Sequence, residues 1–200
     1  MANPARRAQR LSAEARRKQL RESGVRVAAR LGLYRTVHAE VAREAEVSIA
    51  TVFKYFATTP ELLTAIVLEV GQFYEALAEA SYKPDCDAYS RSMRHVQMFL
   101  DSIDSHREYA LVWLEWSASA RNESSLWDLY LAHHSRILAY MRTAADEILP
   151  QNSEEQREDQ VRLLHALTYP LLHLKLTGAS ASALAGLIRM GLHPRPTSGG

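Results

Sequence analysis

The stretch HAEVAREAEVSIATVFKYF, residues 38–56, decides the fold. Its apolar residues fall on one side of two short helices, about 38–45 and 49–55, with a short turn between them. The side chains that we expect to point inward are Val41, Ala42, Ala45, Val52, Phe53 and Phe56. Two short helices joined in this way are typical of a helix-turn-helix, whose second helix enters the major groove of DNA.

The outward face of the second helix presents side chains that suit DNA. They are Ser48, Ala50, Thr51, Lys54 and Tyr55. The hydroxyl groups suit phosphate oxygens, Lys54 suits a phosphate or a guanine edge, and Ala50 suits a thymine methyl group. This pattern alone is a weak indication, because many helical hairpins share it.

Charge is distributed unevenly along the 200 residues. Residues 1–60 carry twelve Lys and Arg against five Asp and Glu, a net charge of +7, whereas the other 140 residues carry twelve and eighteen, a net charge of −6. A basic end on an acidic chain suggests a module that binds polyanions, joined to a part that does not. The alternative is a solvated basic helix face, and charge alone does not decide between the two.

Nearly all of the chain reads as helix, so we predict an all-α fold of about nine helices. Ser12 begins the first helix, Gly32 ends it, and the capping box TTPE (58–61) starts the fourth. The later helices are expected at about 59–80, 88–103, 106–119, 123–148, 154–177 and 180–192. The predicted organisation is a basic arm (1–11), a helix-turn-helix DNA-binding domain (12–58), a helical regulatory and dimerisation domain (59–192) and a disordered tail (193–200).

The segment LLHALTYPLLHLKL, residues 163–176, is apolar on almost every side of a helix. Such a helix must be buried all round, and near the end of this chain a second copy provides that burial most easily. We therefore expect the helices at 154–177 and 180–192 to pair with their symmetry mates in a homodimer. The alternative is a purely intramolecular core.

A resemblance to a known family adds to these predictions. The segment VAREAEVSIATVFKYF (41–56), followed by PELL (60–63), resembles the N-terminal signature of TetR-family transcription regulators. More narrowly, VSIATVFKYF (47–56) and VWLEWSAS (112–119) are similar to the LuxR/HapR/SmcR subgroup, the quorum-sensing master regulators of vibrios. The resemblance implies a homodimer that reads a pseudo-palindromic operator on double-stranded DNA.

The subgroup also uses a basic N-terminal arm that enters the minor groove. The resemblance gives this role to Arg10, with Arg6 and Arg7 nearby, and arginine suits a narrow A·T-rich minor groove. The alternative is a disordered basic tail that makes only non-specific phosphate contacts.

Two residues depart from the pattern. Lys54 stands where the subgroup typically has Asn, a reader of adenine, so the operator sequence does not follow from the resemblance. Glu46 lies in the turn where helix-turn-helix proteins often carry Gly, and a left-handed Glu there would cost about 1 kcal/mol.

The resemblance also implies a ligand pocket in the C-terminal domain. Its lining would be Tyr74, Leu77, Val96, Phe99, Trp113, His134, Leu138 and Thr168. Most of these are apolar with a few polar groups, which suits a small apolar ligand. Of these, His134 and Leu138 replace amide side chains of the subgroup and Thr168 replaces a cysteine, so the identity of a ligand does not transfer. The alternative is that the aromatic residues are ordinary core.

Catalytic, metal-binding and membrane functions are not indicated. The sequence lacks the common hydrolase, zinc-protease and nucleotide-binding motifs, and its eight histidines lack metal-ligand spacing. We therefore expect no enzyme activity, metal or cofactor. A single cysteine, Cys86, excludes a disulfide within the chain and fits a reducing cytoplasm. No apolar run is long enough to span a bilayer.

Two functions remain open at this point. The first is a DNA-binding transcription regulator modulated by a small apolar ligand, with a possible link to quorum sensing. The second is a small-molecule-binding or scaffolding protein of the same fold without specific DNA binding. The regulon, the sign of regulation and the source organism do not follow from the sequence.

Overall fold

Eight α-helices and one short 3-10 turn make up the described part of the chain in a computed structural model. The structure describes residues 11–119 and 124–178 and the single positions 180 and 186, with all of their side chains except those of residues 124, 168 and 169. These ranges contain no strand, and the all-α class is confirmed. The chain divides into two compact units, an N-terminal unit up to Glu69 and a C-terminal unit from Val70. The predicted domain boundary after residue 58 stays a prediction.

Helix α1 (Ala13–Leu31) begins and ends at the predicted residues. The Ser12 hydroxyl accepts a hydrogen bond from the Ala15 amide at 3.1 Å, as an N-cap residue does. Gly32 ends the helix at a φ of 98°, a conformation that other residues rarely adopt. A 3-10 turn (Leu33–Arg35) then leads to the next helix.

Close packing of α1 against α4 (Thr59–Ser81) depends on Gly24. A Cβ atom at Gly24 would lie 2.6 Å from Cγ1 of Ile66, so only glycine leaves room for this isoleucine. An ion pair between Arg21 and Glu69, at 2.7 Å, joins the same two helices. The core of the N-terminal unit is therefore built across this contact.

Helices α2 (His38–Glu44) and α3 (Ile49–Tyr55) occur where the sequence predicts them. Five of the six side chains expected to point inward are buried: Val41, Ala42, Ala45, Val52 and Phe56. The sixth prediction is wrong, because the Phe53 side chain is 47% exposed and stacks on the His38 ring at 4.0 Å. His38 is itself buried, and its Nε2 hydrogen bonds to the Phe56 carbonyl at 2.8 Å.

The turn between α2 and α3 has the hydrogen bonds of a Schellman motif. The Val47 amide donates to the Ala42 carbonyl at 3.0 Å, and the Glu46 amide donates to the Arg43 carbonyl at 3.3 Å. Glu46 therefore occupies the left-handed position, with a φ of 54°. In the described ranges Glu46 is the only residue other than glycine with a positive φ.

The start of α4 matches the predicted capping box in one of its two hydrogen bonds. The Thr58 hydroxyl accepts from the Glu61 amide at 3.3 Å. The Glu61 carboxylate, however, accepts from the Ala57 amide at 2.8 Å, one residue before the cap. The first bond satisfies a backbone donor that the first turn of a helix leaves open, and the second satisfies the amide that precedes the cap.

The C-terminal unit contains α5 (Ala88–Ser105), α6 (Arg107–Ser119), α7 (Ser124–Ile148) and α8 (Glu154–Leu176). Their ends lie within two residues of the predicted ones. Helix α7 packs against α5, α6 and α8, and Trp116 of α6 is fully buried, with Nε1 donating to the Leu126 carbonyl at 2.9 Å.

Several sequence predictions fall outside the described residues. These are the basic arm up to residue 10, the ninth helix at 180–192 except for the single positions 180 and 186, and the tail at 193–200. Among the helices that are described, none is long and apolar enough to cross a bilayer.

The connector between α4 and α5 carries the single cysteine. Arg94 donates to both carboxylate oxygens of Asp85, at 2.6 and 2.9 Å, and also contacts Cys86 Sγ at 3.2 Å. The Cys86 side chain is exposed.

We expect Glu46→Gly to stabilise the protein. Glycine adopts a positive φ without the close contact of Cβ with the following carbonyl oxygen, so the free energy of unfolding should rise by up to about 1 kcal/mol. The larger entropy of glycine in the unfolded chain reduces this gain. Urea denaturation followed by circular dichroism measures the change.

Two variants serve as controls for this prediction. Glu46→Gln keeps the Cβ atom and should leave stability nearly unchanged. Ala39→Gly, at an exposed position of α2, should lower stability by about 1 kcal/mol. A Glu46→Gly protein that is less stable than the wild type would contradict the strain at this turn.

Candidate DNA-binding face and ligand cavity

The predicted DNA-contacting residues of α3 lie on its accessible side. Ser48, Ala50 and Lys54 are exposed, and Thr51 and Tyr55 are half-buried. The Ser48 hydroxyl accepts from the Thr51 amide at 3.2 Å and hydrogen bonds to the Thr51 hydroxyl at 2.8 Å. Ser48 therefore caps α3, and both hydroxyl groups sit at its amino end, where backbone donors favour an anion such as phosphate.

Arg17 of α1 extends this face, and the sequence did not single it out. Its guanidinium carbon lies 5.7 Å from the Tyr55 ring centre and 5.6 Å from that of Phe56, within cation–π range. The Arg17 side chain is exposed. Arg17 therefore places a cation beside the Tyr55 ring.

The carboxylates of the N-terminal unit neutralise only some of its cations. Glu44 binds Arg26 at 2.8 Å and Arg30 at 3.2 Å, and these arginines, Arg26 foremost, hold the pKa of Glu44 below its usual range. The cations of the unit that form no ion pair within the described residues are Arg16, Arg17, Arg35 and Lys54. Two of these four belong to the face formed by α3 and Arg17.

The predicted arm residues Arg6, Arg7 and Arg10 lie outside the described residues. Their contact with a minor groove stays a prediction.

The predicted ligand-binding residues do not all line one space. An inner cavity of about 30 Å³ is lined by Tyr74, Phe99 and Trp113 of the predicted set, together with His95, Ile137, Met141 and His165. A wider open cleft of about 340 Å³ is lined by His134 and Leu138, together with Tyr130, Arg162, His165 and Ala166. His165 borders both spaces.

The remaining three predicted residues lie elsewhere or outside the description. Leu77 is buried and lines neither space, and Val96 packs against the apolar cluster around Leu100. The side chain of Thr168 is not among those described. Five of the eight residues that the family resemblance implied therefore line the cavity or the cleft, and the resemblance did not point to His95 or His165.

Aromatic rings form much of the wall of the inner cavity. The Trp113 ring centre lies 5.1 Å from that of Tyr74 and 5.6 Å from that of Trp116. Trp113 is 6% exposed, so it serves the core and the cavity at once.

Three histidines from α5, α7 and α8 occupy the region of the two spaces. His95 is buried and its Nδ1 hydrogen bonds to the Ser81 hydroxyl at 2.8 Å. His134 Nε2 and His165 Nδ1 are 3.2 Å apart. Burial lowers the pKa of His95 and of His165 to about 4 and also lowers the pKa of His134, so the imidazoles are neutral near pH 7.

The described residues contain no group of three or more His, Cys, Asp or Glu side chains arranged to hold a metal ion.

We expect stability to fall as the pH drops from 6.5 toward 4, with His95 contributing to the slope. Unfolded histidine titrates near 6.5 and takes up protons that buried His95, with a pKa of about 4, does not. The contribution of His95 to the free energy of unfolding therefore falls by up to about 1.4 kcal/mol for each pH unit in this window. His95→Asn, which keeps an acceptor for Ser81, should flatten the dependence in urea denaturation at pH 7.5, 6 and 5.

The matched control is His106→Asn at an exposed position, which should keep the wild-type slope. An unchanged slope in His95→Asn would contradict the neutral, buried state of His95.

The chain is similar in sequence to a known transcription regulator. It is 28% identical over 182 residues to the HTH-type transcriptional regulator LuxR of Vibrio harveyi, with 90% of this chain and 88% of that protein covered. No family model matches the chain.

Solved structures of regulators share the fold. A putative transcriptional regulator from Pseudomonas aeruginosa PAO1 has a TM-score of 0.80 at 15% identity, with 95% of this chain and 94% of that chain covered. A putative transcriptional regulator from Saccharomonospora viridis, solved in complex with choline, has a TM-score of 0.78 at 21% identity and coverage of 90% and 95%. A TetR-like transcriptional regulator from Rhodococcus sp. RHA1 has a TM-score of 0.76 at 17% identity and coverage of 92% and 96%.

These similarities agree with the helix-turn-helix and with the family resemblance seen in the sequence. The relatives are regulators of transcription, so the expectation that the chain is not an enzyme is confirmed. The chain has the fold of TetR-like transcription regulators and is similar in sequence to LuxR of Vibrio harveyi over nine-tenths of its length.

Proposed function

We propose that the chain acts in the cytoplasm as a homodimer that reads a pseudo-palindromic operator, and that a small ligand in the C-terminal unit modulates it. The observation that carries the DNA-binding part is the accessible face of α3, where Lys54 and Tyr55 stand beside Arg17. The unpaired cations of the N-terminal unit supply attraction to the phosphate backbone.

In this proposal α3 lies in the major groove. Ser48 and Thr51 at its amino end contact phosphate oxygens, Ala50 meets a thymine methyl group, and Lys54 reads a guanine edge or binds a phosphate. The two copies of α3 would lie about 34 Å apart, one turn of DNA. The arm with Arg10 would add contacts in the minor groove.

The homodimer rests on an exposed apolar stripe of α8. Leu163 is 53% exposed and Leu174 is 40% exposed, and Ala166 and Pro170, also exposed, lie between them at helical spacing. A stripe of this kind on a soluble helix marks an interaction surface. The two-fold symmetry of a pseudo-palindromic operator favours a second copy of this chain as the partner.

Ligand control rests on the inner cavity and the open cleft. The volume of the cleft falls in the range of small-molecule sites, and one similar structure is a complex with choline. A ligand shifts the regulator between DNA-binding and non-binding states only by the difference in its affinity for the two. A role in quorum sensing rests on the similarity to LuxR alone.

The rival function is a protein of this fold that binds small molecules or partners but no specific DNA. Selection from a random pool of DNA duplexes discriminates between the two, because it requires no knowledge of the operator. Enrichment of a pseudo-palindromic sequence supports the regulator, whereas a pool without enrichment supports the rival. A genome-wide binding map would then report the regulon and the sign of regulation.

With the selected duplex, we expect Lys54→Ala, Tyr55→Ala and Arg17→Ala each to weaken binding. If Arg17 neutralises one phosphate, Arg17→Ala should also reduce the slope of log affinity against log salt concentration by about 0.9. Fluorescence anisotropy from 50 to 300 mM salt measures both quantities.

Arg30→Ala is the matched control, because Arg30 is an exposed arginine of α1 engaged with Glu44. Its salt slope should match that of the wild type. Equal affinities of the wild type, Lys54→Ala and Tyr55→Ala for the selected duplex would exclude the proposed α3 contact.

We expect the double variant Leu163→Glu/Leu174→Glu to be a monomer, because two like charges per copy would oppose each other across an apolar interface. Sedimentation velocity should show a dissociation constant raised by at least about 100-fold. Ala139→Glu, which adds one such charge at an exposed position of α7, should remain dimeric. If the double variant were still a dimer with wild-type helicity, α8 would not be part of the dimer interface.

A further inference from the structure

The two ligand spaces share an unusual lining: many hydrogen-bond donors and, within the described part of the chain, no carboxylate. Three imidazoles, those of His95, His134 and His165, and the guanidinium of Arg162 are their ionisable nitrogen groups. A wall of this composition suits an acidic ligand and offers no counter-charge to a cationic one.

We propose that the ligand of this site is a small organic acid with an apolar body, whose anionic group is bound between His134 and His165. The inference rests on the proposed function only in that it concerns the same ligand site. Acid binding itself does not require DNA binding.

The histidine pair lies where the inner cavity and the cleft meet. His165 lines both spaces, His134 lines the cleft, and their rings are 4.1 Å apart and nearly perpendicular. Of the facing nitrogens, His134 Nε2 and His165 Nδ1, one donates and the other accepts in the 3.2 Å contact. A carboxylate between them would accept an N–H bond from each ring.

The surroundings of the two imidazoles favour a carboxylate between them. Burial is the main cause that lowers the pKa of both imidazoles; Arg142 of α7 adds to it at His134, and His134 and His95 of α5 add to it at His165. Tyr74 of α4 and Tyr130 of α7 also line the region. An anion between the imidazoles reverses the effect of burial, raises the pKa of the pair and draws a proton from solvent.

The arginine of the cleft is already engaged with two carboxylates. Arg162 is 66% exposed and is engaged with Glu158 at 3.4 Å and with Asp159 at 3.5 Å. Glu158 also binds Arg142 at 2.6 Å. Arg162 therefore contributes little direct binding, and the histidine pair holds the anion.

The sizes of the two spaces assign the apolar body to the cleft. The inner cavity of about 30 Å³ has room for about one water molecule, whereas the cleft of about 340 Å³ suits a small ligand. Tyr130 and Leu138 give the cleft an apolar wall.

Tyr74 makes the inner cavity a further source of donors. Its buried hydroxyl has no hydrogen-bond partner at normal geometry within the described residues. Buried unpaired donors are uncommon in proteins, and their presence beside a cavity is consistent with an acceptor-rich ligand.

Three probes that share one apolar body test the proposal: 4-butylbenzoate, 4-butylbenzyl alcohol and 4-butylbenzylammonium. Isothermal titration calorimetry at pH 6, 7 and 8, in buffers of different ionisation enthalpy, reports affinity and proton uptake together. We expect the benzoate to bind at least about tenfold more tightly than the other two. Its affinity should rise as the pH falls, by up to about tenfold per unit for one proton taken up.

Variants of the two histidines test which residues take up the proton when the benzoate binds. His134→Gln and His165→Gln should each weaken benzoate binding by at least about tenfold and abolish proton uptake, whereas His173→Gln, on the exposed side of α8, should do neither. NMR of the imidazole Cε1–H resonances should show a histidine pKa that rises when the benzoate is added. This readout does not depend on whether a variant loses stability.

The result that overturns the proposal is equal or tighter binding of the alcohol or the ammonium probe, or benzoate binding without proton uptake. Failure of butanoate, octanoate and the benzoate to bind at millimolar concentration would overturn it as well. The proposed function fails separately, when no duplex is enriched from the random pool while the acid still binds.

Discussion

The turn between α2 and α3 determines which side of α3 is accessible. Its two Schellman hydrogen bonds require a left-handed residue, and that residue is Glu46 rather than glycine. Ser48 then caps α3, and the buried His38 holds the carboxyl end of α3 through the Phe56 carbonyl. With both ends of a seven-residue helix fixed, its outer face is presented as a rigid surface. Such short helices have little stability of their own, so this order comes from the contacts at the ends.

Charge in the N-terminal unit is organised around the same helix. Glu44 forms ion pairs with two arginines of α1, whereas Arg17 and Lys54, the cations near α3, have no carboxylate partner in the described part of the chain. Two of the four cations without a carboxylate partner, Arg17 and Lys54, lie at this helix. Attraction that is concentrated near one helix favours a defined orientation on a polyanion over diffuse association.

The sequence predicted the helices well because their ends carry local signals. Ser12, Gly32 and Ser48 act through hydrogen bonds or backbone angles within a few residues, and such effects can be predicted from neighbouring residues in the sequence. Phe53 was misplaced because it lies at the edge of the apolar face, where the His38 ring covers one side and leaves the other exposed.

The site residues of the C-terminal unit were harder to predict for a related reason. The contact between His134 and His165 joins residues 31 positions apart on two helices, and only the packing of α7 against α8 brings them together. The same holds for Arg17 and Tyr55, since spacing within one helix carries no information about another. A polar residue inside the otherwise apolar segment 163–176 was the one available signal for His165, because a buried imidazole requires a partner.

Cys86 gives the molecule a natural point of attachment for a spectroscopic label. It is the one thiol in the sequence, it is exposed, and it sits in a short connector rather than in a helix. Desolvation in the connector, with the neighbouring Asp85, raises the pKa of the thiol, so maleimide or nitroxide reagents react faster in mildly alkaline buffer. An assembly of two chains would carry one probe on each chain. The distance between the two probes would then report changes in the spacing of the chains without any engineered residue.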